Sequence, residues 1–257
     1  MCHPTTARPP LPPIRGGAGA AGVNRLVLDA TDGNRFNAFS AVASDPDAPG
    51  VLILPDVRGL HPFYEDLATR FAETGVHAIA MDYFGRTAGL SQRPEDFDFM
   101  AHVRQITPEG IGADSLAALN YLRSDEGGGA SRSFSVGFCM GGRISFNQAW
   151  RDHGLDGVIG FYGGPQMVGP GDETAPIQLA PQYRCKVLGL FGGADQGIPL
   201  ESIDEFRRAL DGAAVPNELV VYPVAPHSFF DRSFDEFADD CEDAWHRVLR
   251  FVGRESG

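Results

Sequence analysis

Five short segments, 51–55 (VLILP), 76–81 (VHAIAM), 133–138 (SFSVGF), 157–162 (GVIGFY) and 186–191 (KVLGLF), are apolar at nearly every position rather than at alternate ones. A strand with that pattern has to be buried on both faces, which is the situation of a parallel sheet covered by helices. The intervening segments carry the other period. In 62–74 the apolar positions Phe63, Leu67 and Phe71 share a helical face, opened by Pro62 and closed by Gly75. Helices are likewise expected over 108–123, 140–152, 199–210 and 233–252, with a further strand at 218–222. Ahead of them, 24–30 (NRLVLDA) and 35–43 (RFNAFSAVA) flank Asp32-Gly33 and read as a hairpin. The expected fold is therefore α/β: a mostly parallel central sheet with helices on both faces and an antiparallel N-terminal hairpin.

The alternation runs through 257 residues with no internal repeat and no convincing linker, so one domain is expected over 23–257. Residues 1–22, rich in Pro, Gly and Ala, read as an extended arm lying on the surface; they lack the apolar stretch of a secretory signal. Cys2 and His3 in that arm do not make up a metal site on their own. The net charge of −13 disfavours nucleic acid and anionic membranes as partners. Four scattered cysteines fit neither a disulfide framework nor a zinc site, and the cytoplasm is the expected compartment. The Pro/Gly-rich stretch 164–182 reads as a long surface loop, of the kind that borders active sites.

Chemistry enters at Gly137-Phe138-Cys139-Met140-Gly141, where a strand turns into a helix. This is a nucleophile-elbow pattern with cysteine at the tip. Glycines two before and two after the tip let strand and helix approach. The tip side chain stands above the carboxyl end of the sheet, at a helix N-terminus that favours a thiolate. The same pattern also fits a structural cysteine in a glycine-rich turn. A nucleophile needs a base and an acid to orient it, and elbow enzymes supply them in the chain order nucleophile, acid, histidine. Asp195 follows the strand 186–191, and His227 lies in the loop after 218–222. Of the seven histidines only His61 and His227 follow strands in loops, and His227 is downstream of both partners. The backbone N–H groups of Met140 and Val57 are the expected oxyanion donors. Asp56, beside Val57, reads either as a carboxylate acting on Cys139 or as a plain loop carboxylate.

Taken together, G-F-C-M-G-G at 137–142, G-G-A-D at 192–195 and H-S-F at 227–229 resemble the dienelactone hydrolase family, over roughly residues 24–252. The resemblance implies an α/β-hydrolase fold and hydrolysis of a small ester or lactone, with no metal or organic cofactor. It assigns Cys139 as nucleophile, His227 as base and Asp195 as its orienting acid. Where this chain has Asp56 the family has a glutamate that pairs with the cysteine, and aspartate is one methylene shorter. Family members that take dienelactone hold its carboxylate with two arginines. Arg86, in Tyr83-Phe84-Gly85-Arg86, matches the first; Arg232 falls one place late for the second, with Asp231 in the expected slot. Tyr83 and Tyr162 complete the candidates for binding substrate or tuning the nucleophile. A monomer or homodimer is expected. The alternatives are a general carboxylesterase or thioesterase on the same fold, and a catalytically silent protein that uses Cys139 as a redox switch.

Overall fold

The computed structural model describes residues 8–13, 19–94, 96–231 and 233–254. Eight strands form one sheet: β1 (Gly22–Asp29), β2 (Arg35–Val42), β3 (Gly50–Leu54), β4 (His77–Met81), β5 (Ser133–Phe138), β6 (Gly157–Phe161), β7 (Lys186–Gly192) and β8 (Asn217–Tyr222). Their spatial order is β1-β2-β4-β3-β5-β6-β7-β8. β1 pairs antiparallel with β2, and β2 with β4; every other pairing is parallel. The apolar runs are the parallel strands, and β3, β4, β5 and β6 are buried at every position.

The helices are α1 (Pro62–Glu73), α2 (Gly85–Ala88), α3 (Phe99–Val103), α4 (Pro108–Arg123), α5 (Met140–Gln148), α6 (Pro176–Leu179), α7 (Leu200–Gly212) and α8 (Ala238–Phe251). The pleat divides the strand side chains between two layers. On β4, Ala78 and Ala80 pack with Phe63, Leu67 and Phe71 of α1, while Ile79 and Met81 pack with Leu119 and Leu122 of α4. α8 joins the α1 layer through Trp245, which meets Phe71 edge-on with ring centroids 4.9 Å apart. α7 joins α5 on the other side through the Phe146–Phe206 contact at 5.2 Å. Each such side chain, fully buried, contributes about 1.5–3 kcal/mol.

Two helix ends differ from the sequence reading by more than two residues, each for a non-local reason. α5 stops at Gln148 because the Ala149 carbonyl accepts the N–H of Arg184 (2.8 Å), so it is engaged outside the helix. α8 begins at Ala238 because 233–237 form a turn that sets Phe234 and Phe237 against the core. The expected loop 164–182 contains the short helix α6. Of the N-terminal arm, Pro9, Pro10 and Pro12 are buried rather than laid on the surface, and Trp245 Nε1 donates to the Pro10 carbonyl at 3.1 Å. Cys2 and His3 lie outside the described residues. No helix among the described residues is long and apolar enough to cross a membrane.

This topology fixes where a site can form. The chain leaves β3 towards β4 on one side, and β5 lies on the other, so the connections after β3 and β5 diverge from adjacent strands. A crevice opens at the carboxyl edge between such connections. The segments after β3 and β5 carry Asp56-Val57 and Cys139.

Candidate active site

Cys139 sits between β5 and α5 with φ 56° and ψ −114°, in the left-handed region that a residue with a Cβ enters only under constraint. Its N–H donates to the Phe161 carbonyl at 3.1 Å and its carbonyl accepts the Arg143 N–H at 3.2 Å. The flanking glycines are required by space. A Cβ on Gly137 would lie 1.9 Å from the Gly141 carbonyl oxygen, and one on Gly141 would lie 2.1 Å from that of Leu54. Of the cysteines the structure describes, Cys139 is the one at the sheet's carboxyl edge beside a histidine. Burial pushes the Cys185 and Cys241 thiols up to about 12, which leaves them essentially protonated at neutral pH.

His227 follows β8, and its Nδ1 lies 2.6 Å from Oδ2 of Asp195. Asp195 is buried just beyond β7, and its Oδ1 accepts the Gly197 N–H at 2.8 Å, which fixes the carboxylate plane. The Cys139 sulfur lies close enough to the His227 ring to act on its charge. Burial alone would lower the imidazole, but the hydrogen bond with Asp195 and the nearby Cys139 push it up to about 10 from 6.5. Three segments that follow β5, β7 and β8 thus converge as sulfur, imidazole and carboxylate.

A raised histidine ties stability to pH. The favourable contribution is complete below the unfolded value of 6.5 and is lost as pH rises through about 10. Urea unfolding of the wild-type protein is therefore expected to show a midpoint that falls between pH 7 and pH 10. A His227→Gln protein should lack that part of the fall, and an unchanged slope would contradict the arrangement.

The surrounding tyrosines are buried. Tyr162, at φ 40°, donates from Oη to Oδ2 of Asp231 at 2.7 Å, and its ring centroid is 5.0 Å from that of His227. Tyr83 donates to the Pro55 carbonyl at 2.8 Å and so pins the turn that presents Val57. Burial, and then the neighbouring carboxylates Asp231 for Tyr162 and Asp56 for Tyr83, hold both phenols well above their ordinary value, as neutral donors. In that turn Asp56 N–H donates to Tyr64 Oη (2.9 Å), Arg58 N–H to Asp56 Oδ1 (2.8 Å) and Gly59 N–H to the Asp56 carbonyl (3.1 Å). The Val57 N–H takes part in none of these bonds. Met140 is the first residue of α5, so its N–H has no acceptor within the helix.

Asp56 is buried and held by its neighbours. Arg58 Nη2 reaches its Oδ2 at 3.1 Å, His61 Nε2 lies 3.8 Å from the same oxygen, and Arg58 and His61 are 3.0 Å apart. Arg58 and His61 are partners the sequence reading did not assign; the signal was their place in the same post-β3 loop. A third unassigned residue is Arg143, one helical turn after Cys139. It is buried, paired with Asp172, and donates to the Pro170 carbonyl at 3.2 Å, so it fastens the 164–182 segment to the helix that follows Cys139. Burial draws its guanidinium down to about 10, with Cys139 and Tyr83 among the charges acting against that fall.

The structure turns Arg86 to the hairpin side, where it pairs with Asp114 at 2.7 Å and Asp32 at 2.6 Å. Arg232 lies outside the described residues. Among the expected site residues, Cys139, His227, Asp195, Tyr162, Tyr83 and the post-β3 turn are brought together, and Arg86 is committed elsewhere.

Comparison with known proteins agrees across most of the chain. The profile of the dienelactone hydrolase family matches residues 36–256. A protein of Salmonella typhimurium named "Putative carboxymethylenebutenolidase" is 31% identical over 251 residues, covering 94% of this chain and 90% of that protein. One of the same name from Escherichia coli K12 is 31% identical over 237 residues, 88% of this chain and 85% of that one. A crystal structure from Klebsiella pneumoniae, titled a putative dienelactone hydrolase, superposes with a TM-score of 0.72 at 27% identity over 91% of this chain and 99% of that chain. An esterase of Pyrococcus furiosus, at 14% identity and TM-score 0.69, shares the fold.

Proposed function

The chain belongs to the dienelactone hydrolase family, hydrolases that act on ester bonds, and on that premise we propose that it cleaves a small ester or lactone through Cys139, His227 and Asp195 by way of a thioester. The observation that supports the reading is that Asp195, at 2.6 Å, and Cys139 both act on the His227 ring. The raised imidazole, backed by Asp195, takes the proton that the Cys139 sulfur gives up as it attacks. The sulfur attacks the carbonyl carbon, and the oxyanion forms against the N–H groups of Met140 and Val57. The tetrahedral adduct collapses and expels the alkoxide or enolate, which takes the proton from His227. The now neutral His227 draws a proton from water. The resulting hydroxide attacks the thioester, and departure of the thiolate restores the pair. Asp195 fixes the ring's tautomer and stabilises its charged form.

A thiolate leaves more readily than an alkoxide, so collapse forward requires a leaving group stabilised as an enolate or phenolate. That supports activated esters and enol lactones over ordinary alkyl esters. Loss of p-nitrophenyl ester turnover in a folded Cys139→Ala protein is the expected result; unchanged turnover removes the reading.

A further inference from the structure

Among the described residues, four arginines stand at the carboxyl edge of the sheet shielded from full exposure, and each already has a carboxylate. Arg58 is on Asp56 at 3.1 Å, Arg86 on Asp114 and Asp32 at 2.7 and 2.6 Å, Arg93 on Asp82 at 2.9 Å, and Arg143 on Asp172. Arg104, at the end of α3, is exposed. The carboxylates nearest the catalytic ring point the same way. Asp195 backs His227, and Asp231 is buried beneath Tyr162, itself 5.0 Å from that ring. A substrate anion entering here would meet paired cations whose partners repel it, in a chain of net charge −13.

The rim has the opposite character. Large apolar side chains open to solvent are uncommon in the described chain, and several gather on the segments that leave β6, β7 and β8. Met167 and Val168 follow β6, Leu200 opens α7 five residues after Asp195, and Val224 lies three residues before His227. Gln166 donates to Glu205 on α7, which brings the Met167 segment alongside the helix that Leu200 begins. Exposed apolar groups on the segments that follow the strands carrying the site are suited to receive an apolar ligand.

We infer that this site selects uncharged esters or lactones with an apolar acyl group and discriminates against substrates that carry a carboxylate. The inference rests on the ester-hydrolase reading above and adds the charge class of its substrate. The test compares two activated esters, p-nitrophenyl pentanoate and p-nitrophenyl hemisuccinate, which share a leaving group, have acyl chains of similar extent and differ in a terminal carboxylate. The expected result is a kcat/KM about 100-fold higher for the pentanoate, since an unmatched charge is rejected more strongly than a missing methylene. Equal or greater kcat/KM for the hemisuccinate overturns the inference, and a fall of that activity in an Arg86→Ala, Arg104→Ala or Arg232→Ala protein would name the cation responsible. Persistence of both activities in a Cys139→Ala protein would instead overturn the nucleophile assignment and leave the charge preference standing. No turnover of the pentanoate by the wild-type protein overturns both.

Discussion

Replacing Cys139 by alanine is expected to lower kcat for an activated ester by about 10⁴-fold or more while leaving the fold intact, in line with the loss when the nucleophile of a triad is removed. The size of the effect follows from the site's design. The N–H groups of Met140 and Val57 and the imidazole stay in place, but on the proposed mechanism no atom remains at the bend to take the acyl group, and water must attack unaided. The alanine side chain is smaller than that of cysteine and still occupies the left-handed position at φ 56°, so the backbone strain is unchanged. The check is the p-nitrophenolate release rate beside a thermal unfolding curve of the same protein. Undiminished release from a folded variant would show that another group performs the attack, and neither the half-buried Cys185 nor the buried Cys241, both held up near 12, is placed to do so.

A second large effect is expected from Gly141→Ala, a substitution that touches no reacting group. The added methyl would fall 2.1 Å from the Leu54 carbonyl oxygen and 2.2 Å from that of Pro55. Both are backbone atoms of the β3 strand and its following turn, so the clash has no flexible side chain to absorb it. Either α5 moves off the sheet or the Pro55–Val57 turn is displaced, and the second outcome carries the Val57 N–H away from the oxyanion position. A destabilisation above about 4 kcal/mol is expected, in the range reserved for overpacking and backbone strain. Urea unfolding reads it directly. A Gly141→Ala protein with near wild-type stability and activity would mean that the elbow is looser than its contacts indicate.

How much of this could be read without coordinates depends on how local each cause is. The parallel strands announced themselves because burial on both faces leaves its mark residue by residue, as in 157–161 and 133–138. α4 began and ended where expected because its signals are adjacent: Thr107 accepts the Gly110 N–H at 3.1 Å and Pro108 occupies the first turn. The convergence of Cys139, Asp195 and His227 was legible because each lies within a few residues of a strand's carboxyl end, and sheet topology gathers those ends. What escaped was set by partners far away in the chain. Nothing near Ala149 shows that Arg184 will occupy its carbonyl, and nothing around Arg143 shows that Asp172 will meet it. Arg86 illustrates the converse. Its place after β4 suits a ligand contact, yet Asp32 of the N-terminal hairpin and Asp114 of α4 reach it first.

The central claim is that acyl groups pass through the Cys139 sulfur, and it can be observed as mass. The protein is mixed with p-nitrophenyl pentanoate, quenched in acid during turnover and digested, and its peptides are weighed. The account predicts one pentanoyl group on the peptide that contains Cys139, removed by neutral hydroxylamine as a thioester is. It also predicts more of that adduct in an Asp195→Asn protein, in which a disoriented His227 slows water attack more than acylation. Turnover that leaves Cys139 unmodified, or an acyl group found on any other residue, would contradict it.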